Sequence, residues 1–125
     1  MHGIVKEYYE SGQLKAETPV TDGYSNGLAI GYYESGQLAI ELPYVNGERH
    51  GIIREYYESG ALMREMPYVN GDQVGTILGY YETGQLQYEL TEEGEIMTMK
   101  SYALDGTLIG CSLYNNGVEV GNCMP

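Results

Sequence analysis

Phenylalanine and tryptophan are absent from this 125-residue chain, so tyrosine alone makes up its 11% aromatic content. Leu, Ile and Val together account for 26 of the 125 residues, close to the level at which a strongly charged chain cannot bury enough apolar surface to fold. Tyrosine must therefore supply much of any core. Basic residues are scarce as well, six against 18 acidic ones, for a net charge of −12. That balance excludes nucleic acid as a generic partner and leaves a membrane partner unexpected, because polyanions and anionic lipids both require a positive surface.

No apolar run approaches the roughly 20 residues that span a bilayer. The opening MHGIVKEYYESG has neither the basic n-region nor the apolar h-region of an export signal. These features predict a soluble, cytoplasmic chain. Only two cysteines occur, Cys111 and Cys123, too few for a disulfide framework and in keeping with a reducing compartment. A buried thiol, a free terminal thiol and a bond between the two all remain open from the sequence.

Glycine and tyrosine are abundant, at 18 and 14 residues, and both are multiplied by a repeat. YYESGQL stands at 8–14 and 32–38, YYESGAL at 56–62 and YYETGQL at 80–86, each copy 24 residues after the last. A fifth, degenerate copy is carried by Tyr102, Gly106 and Leu108. Repeats run over about 3–26, 27–50, 51–74, 75–97 and 98–121, with no linker between them, and they predict a single repeat domain over 1–125.

Two turn signals punctuate each repeat. Asn46-Gly47, Asn70-Gly71 and Asn116-Gly117 suit two-residue hairpin turns that need positive φ at both central positions, and Ser-Gly suits a longer loop closed by a left-handed glycine. The segments between them are about seven residues long, which suits strands. Each repeat then contributes two antiparallel strands, and five repeats contribute about ten. At ~4.8 Å per strand such a sheet would be about 45 Å long.

Alternation assigns the faces. Leu38, Ile40, Leu42 and Tyr44 point one way, and Ala39, Glu41 and Pro43 the other. Arg64 is a basic exception on the apolar side, either snorkelling or paired with a carboxylate. Adjacent tyrosines must face opposite ways, giving a first column of Tyr8, Tyr32, Tyr56, Tyr80 and Tyr102 and a second of Tyr9, Tyr33, Tyr57 and Tyr81. Glu17, Glu41, Glu65 and Glu89 form an acidic column, expected on the face of the second tyrosine column. Pro19, Pro43 and Pro67 end the second strands, where a bulge or an edge tolerates the missing donor.

No catalytic constellation is present. His2 and His50 occupy equivalent positions before a glycine and read as turn residues, without a Ser or Cys partner pattern. Neither GxGxxG nor GxxxxGK[ST] occurs, and the glycines follow hairpin spacing. Glu92, Glu93 and Glu95 lack the alternating ligands of a calcium loop and read as a solvated turn. The expectation is a non-enzymatic chain with no cofactor and no metal, whose candidate partner-binding face is formed by Tyr9, Tyr33, Tyr57, Tyr81, Glu17, Glu41, Glu65 and Glu89.

The repeated motif YYESGQLxxExPYVNGxxHG, over residues 3–121, resembles the MORN repeat family, in particular the bacterial variant with a Tyr-Tyr-x-x-Gly core. The resemblance implies an all-β, elongated antiparallel β-meander of about five 24-residue β-hairpin repeats. It also implies a protein-interaction or scaffold module. Chains of this kind include antitoxin-like proteins of the YwqK type, which suggests a basic toxin as partner, with self-association as homo-oligomers a further expectation. The alternative it implies is a membrane or phospholipid-associated adaptor. A phosphatidylinositol phosphate kinase label would come from the repeats alone, since the chain has no room for a kinase domain.

Overall fold

A computed structural model describes residues 2–124. Its strands are β1 (His2–Tyr8), β2 (Leu14–Thr21), β3 (Tyr24–Ser25), β4 (Gly27–Tyr32), β5 (Leu38–Val45), β6 (Glu48–Arg49) and β7 (Gly51–Tyr56), then β8 (Leu62–Val69), β9 (Asp72–Gln73), β10 (Thr76–Tyr80), β11 (Leu86–Glu93), β12 (Ile96–Tyr102), β13 (Leu108–Asn115) and β14 (Val118–Asn122). All belong to one open antiparallel sheet ordered β1-β2-β4-β5-β7-β8-β10-β11-β12-β13-β14, with β3, β6 and β9 paired beside β2, β5 and β8.

Both turn types follow from their residues. Gly12 N–H donates to the Tyr9 carbonyl at 2.9 Å and Tyr9 N–H to the Gln13 carbonyl at 2.9 Å, a three-residue loop closed by glycine at φ +94. The same pair of bonds recurs from Tyr33, Tyr57, Tyr81 and Ala103. At the other margin, Asn46 and Gly47 have φ 49 and 87, and Asp22, Asn70 and Asn116 with their glycines repeat the pattern. Positive φ at both central residues is the type I′ signature, whose twist matches that of the flanking strands.

The sheet has 14 strands, not about ten, because three return strands break after two residues and an extra strand, β14, follows the fifth hairpin. β3 pairs Val20 with Ser25, whereas β4 pairs Glu17 with Ile30, so the register slips by two residues between them. β6/β7 and β9/β10 slip in the same way. Pro19, Pro43 and Pro67 face these bulges, and their carbonyls accept from Asn26, His50 and Val74 N–H at 2.9–3.0 Å. A proline loses nothing where the opposing strand bulges, since no ladder bond is asked of its nitrogen.

The fourth repeat shows the converse. It has no proline, β11 pairs with one uninterrupted β12, and Glu93 lies opposite Ile96 across Gly94 and Glu95. Tyr102 follows Tyr80 by 22 residues rather than 24, the two missing residues being those of the bulge. A fifth hairpin, β12 with β13, and a last strand, β14, complete the sheet.

Few side chains are fully enclosed. Among the described residues the buried hydrophobics are Ala29, Ile53 and Cys111 alone, as expected of a sheet one layer thick. Ala29 opposite Leu42, Ile53 opposite Met66, and Ile77 opposite Leu90 form the apolar row on one face. On that face Arg64 is paired with a carboxylate, its Nη2 lying 3.1 Å from Glu55 Oε2 on the opposing strand.

Gly51 shows how tightly the bulge is fitted: its φ is +124, and a Cβ there would stand 3.0 Å from Pro43 Cγ. Gly51→Ala is therefore expected to lower unfolding stability by about 1–3 kcal/mol, read as a reduced midpoint in urea denaturation; an unchanged midpoint would refute the fitted bulge.

Candidate interaction surface

One row of side chains crosses the sheet on the face opposite the apolar row. Lys6 lies opposite Glu17, Glu17 opposite Ile30, Ile30 opposite Glu41, Glu41 opposite Arg54 and Arg54 opposite Glu65. The row continues through Leu78, Glu89, Lys100 and Cys111. The acidic column is therefore real, but three of the six basic residues are threaded through it. Arg54 Nε lies 3.1 Å from Glu65 Oε2.

The tyrosine partners of this row differ from expectation. Glu41, Glu65 and Glu89 accept from the first column: Tyr56 OH donates to Glu41, Tyr80 OH to Glu65 at 3.1 Å and Tyr102 OH to Glu89 at 2.7 Å. The cause is the bulge in each hairpin, which pairs Tyr32 with Leu38 but Gly31 with Ile40. Alternation counted without that extra residue assigns the first strand to the wrong face relative to the second.

These contacts favour the protonated form of Tyr56, Tyr80 and Tyr102. Burial, then the hydrogen bond to Glu41, pushes Tyr56 up to about 12, and burial followed by Glu65 raises Tyr80. For Tyr102 the bond to Glu89 is the larger cause, followed by burial.

The second column does something else. Tyr9, Tyr33, Tyr57 and Tyr81 stand one residue past their strands, and each hydroxyl donates to the backbone carbonyl of the first-column tyrosine in the next repeat. The acceptors are Tyr32, Tyr56, Tyr80 and Tyr102, at 2.5–2.7 Å. The tyrosine and glutamate candidates thus form two separate groups. The tyrosines sit at the margin with their hydroxyls engaged, and the glutamates sit mid-sheet among cations and phenols.

The last repeat lacks both ties. Ala103 occupies the second-column position and Cys111 the acidic one. In their place Cys111 is disulfide-bonded to Cys123, with Cα atoms 5.0 Å apart, and Cys123 N–H donates to the Cys111 carbonyl at 3.0 Å. A covalent link thus joins β14 to β13 where hydrogen bonds join the other repeats.

Alternation along strands does not identify the acidic residues of the turns. Glu10, Glu34, Glu58, Glu82 and Asp105 are all exposed, one per repeat along the tyrosine margin; the Glu of YYESG was a signal in plain sight. At the opposite margin Asp22, Glu48, Asp72, Glu92, Glu93, Glu95 and Glu119 are acidic too, Asp22 being half of a type I′ turn. On the tyrosine margin Lys15 Nζ stands 5.6 Å from the centroid of the Tyr9 ring, a cation–π contact. The equivalent residues in the next three repeats are Ala39, Met63 and Gln87. Histidine is spent on turns: His2 Nδ1 is 3.1 Å from Thr21 Oγ1, and His50 Nδ1 accepts from Asn70 N–H at 3.3 Å.

The model of the MORN repeat variant matches residues 1–22, 25–46, 49–70 and 73–91, more than half of the chain. The chain belongs to the MORN repeat variant family. Each matched MORN segment contains one hairpin built around the Tyr-Tyr turn, and the degenerate fifth repeat lies outside the matched segments. No curated protein matches the chain. MORN repeats are non-catalytic modules of protein and membrane interaction. Among the described residues, no helix is long and apolar enough to cross a membrane.

Two outcomes follow from the MORN ties. Tyr57→Phe removes one inter-repeat bond and keeps the ring, and is expected to cost about 0.5–1.5 kcal/mol in urea denaturation; no cost would show the bond is idle. Tyr56 has a folded pKa of about 12 against an ordinary value of 10, so its contribution to stability is present below pH ~10 and lost as pH rises toward 12. Alkaline titration followed by tyrosinate absorbance should show a late-ionising group, reduced by Glu41→Gln.

Proposed function

We propose that this MORN chain is a non-enzymatic scaffold that binds a basic protein along its tyrosine margin. The observation that carries this reading is Lys15 over the Tyr9 ring. The same ring recurs at Tyr33, Tyr57 and Tyr81 with Ala39, Met63 and Gln87 in the cation's place, and an exposed Glu34, Glu58 or Glu82 follows each ring. An aromatic face beside a carboxylate suits a lysine or arginine side chain. Repeats two strands apart would present such sites about 10 Å apart. The mid-sheet Glu17, Glu41, Glu65 and Glu89 extend the proposed surface as a secondary region, interleaved with Lys6, Arg54 and Lys100.

The net charge of −12 favours a cationic partner and steers its approach. In the finer version of this reading the partner is a toxin and the chain acts in the manner of an antitoxin. A membrane role is disfavoured, because Lys6, Arg54 and Lys100 are interleaved with carboxylates in the cross-sheet row.

The test is purification from the native source at native abundance. A stoichiometric basic protein should accompany the chain, dissociate as salt rises, and be lost from the Glu34→Gln/Glu58→Gln/Glu82→Gln variant, whose circular dichroism stays unchanged. Recovery of the chain alone, together with flotation on anionic vesicles, would overturn the proposal in favour of the adaptor.

A further inference from the structure

The three Asn-Gly turns have the same local conformation but differ in what holds their glycine nitrogen. Asn46, Asn70 and Asn116 have φ 49, 49 and 52, and their glycines 87, 87 and 80. All six residues are exposed. Gly47 N–H donates to the Ser25 carbonyl at 2.8 Å, and Gly71 N–H to the Arg49 carbonyl at 2.9 Å, so each turn hangs from the return strand of the repeat before it. Asn46 Oδ1 also accepts from Asn26 Nδ2 at 3.1 Å. Among the described residues, Gly117 N–H donates to no backbone carbonyl outside the strand ladders. The reason is the shortened fourth repeat: without the two-residue bulge, β12 has no outlying return segment from which a carbonyl could reach the next turn.

We infer that, of the three Asn-Gly turns, Asn116 is the site of spontaneous modification, a deamidation and isoaspartate site selected by the missing inter-repeat bond. The remaining Asn-Gly step, Asn26-Gly27, lies at the start of β4, where Asn26 N–H donates to the Pro19 carbonyl and Asn26 Nδ2 to Asn46 Oδ1. In the reaction the Gly117 nitrogen attacks Cγ of Asn116, its proton passes to the side-chain nitrogen, and ammonia leaves as a cyclic succinimide closes. Water then opens the ring at either carbonyl, giving an aspartyl or an isoaspartyl residue. A folded type I′ turn must open locally before the glycine nitrogen can reach Cγ. At Asn46 and Asn70 that opening must also break a hydrogen bond to the neighbouring repeat; at Asn116 it need not.

The consequences fall on the last hairpin. The product carries one more negative charge than the starting chain. An isoaspartyl link adds a carbon to the backbone of a two-residue turn whose geometry sets the β13–β14 register, and so opposes that pairing. The exposed product is of the chemical class accepted by isoaspartate-directed carboxyl methyltransferases.

The intact chain is incubated in warm, mildly alkaline buffer and digested, and isoaspartate is assigned by peptide mapping and by methyl transfer from an isoaspartyl methyltransferase. The Asn116 peptide should accumulate product about three- to ten-fold faster than those of Asn46 and Asn70, the factor corresponding to one net hydrogen bond. In strong denaturant the three rates should converge, because each asparagine is followed by glycine. Asn116→Gln should abolish the fast site. Equal rates in the folded chain, or the same ranking in denaturant, would overturn the proposal.

Discussion

A sheet one layer thick cannot be stable one repeat at a time, and everything else in this chain answers that constraint. A lone hairpin here encloses almost nothing, so stability must come from the junctions between repeats. The second-column tyrosine supplies the recurring junction. Its hydroxyl crosses to the next repeat and bonds the carbonyl of that repeat's first-column tyrosine. The first-column hydroxyl reaches back to the glutamate of the repeat before, in three of the junctions. Phenylalanine could provide the same hydrocarbon but neither bond, which accounts for tyrosine at the seven positions that make these ties.

The junctions also redistribute charge. Inside the sheet, Glu41, Glu65 and Glu89 accept from phenols, Glu65 also pairs with Arg54, and Lys6 and Lys100 lie opposite Glu17 and Glu89 in register. Twelve of the 18 acidic residues stand along the two long margins, and one margin also carries the tyrosine rings. A partner that recognises this protein through charge meets the turns first.

Where the pattern breaks, the structure changes accordingly. The loss of proline and two residues from the fourth repeat removes a bulge, smooths β12 and leaves the following turn without its hanging bond. The loss of tyrosine at Ala103 and of glutamate at Cys111 removes both ties from the last junction, and a disulfide takes their place. Each departure in sequence thus has a local structural counterpart.

The sequence by itself determined the repeat, the two hairpin turns, the all-β meander and the paired tyrosine columns. Those depend on local backbone preferences: left-handed glycines, Asn-Gly turns and period-two alternation act within a few residues of each other. Tertiary structure alone decided which tyrosine column meets the acids, because a one-residue bulge inside each hairpin reverses the facing relation without changing the sequence period. It likewise decided that the cysteines are bonded and that Glu65 of the acidic column is paired with Arg54. These outcomes depend on register between strands, which is set by bulges and pairing across repeats and cannot be read from spacing along one strand.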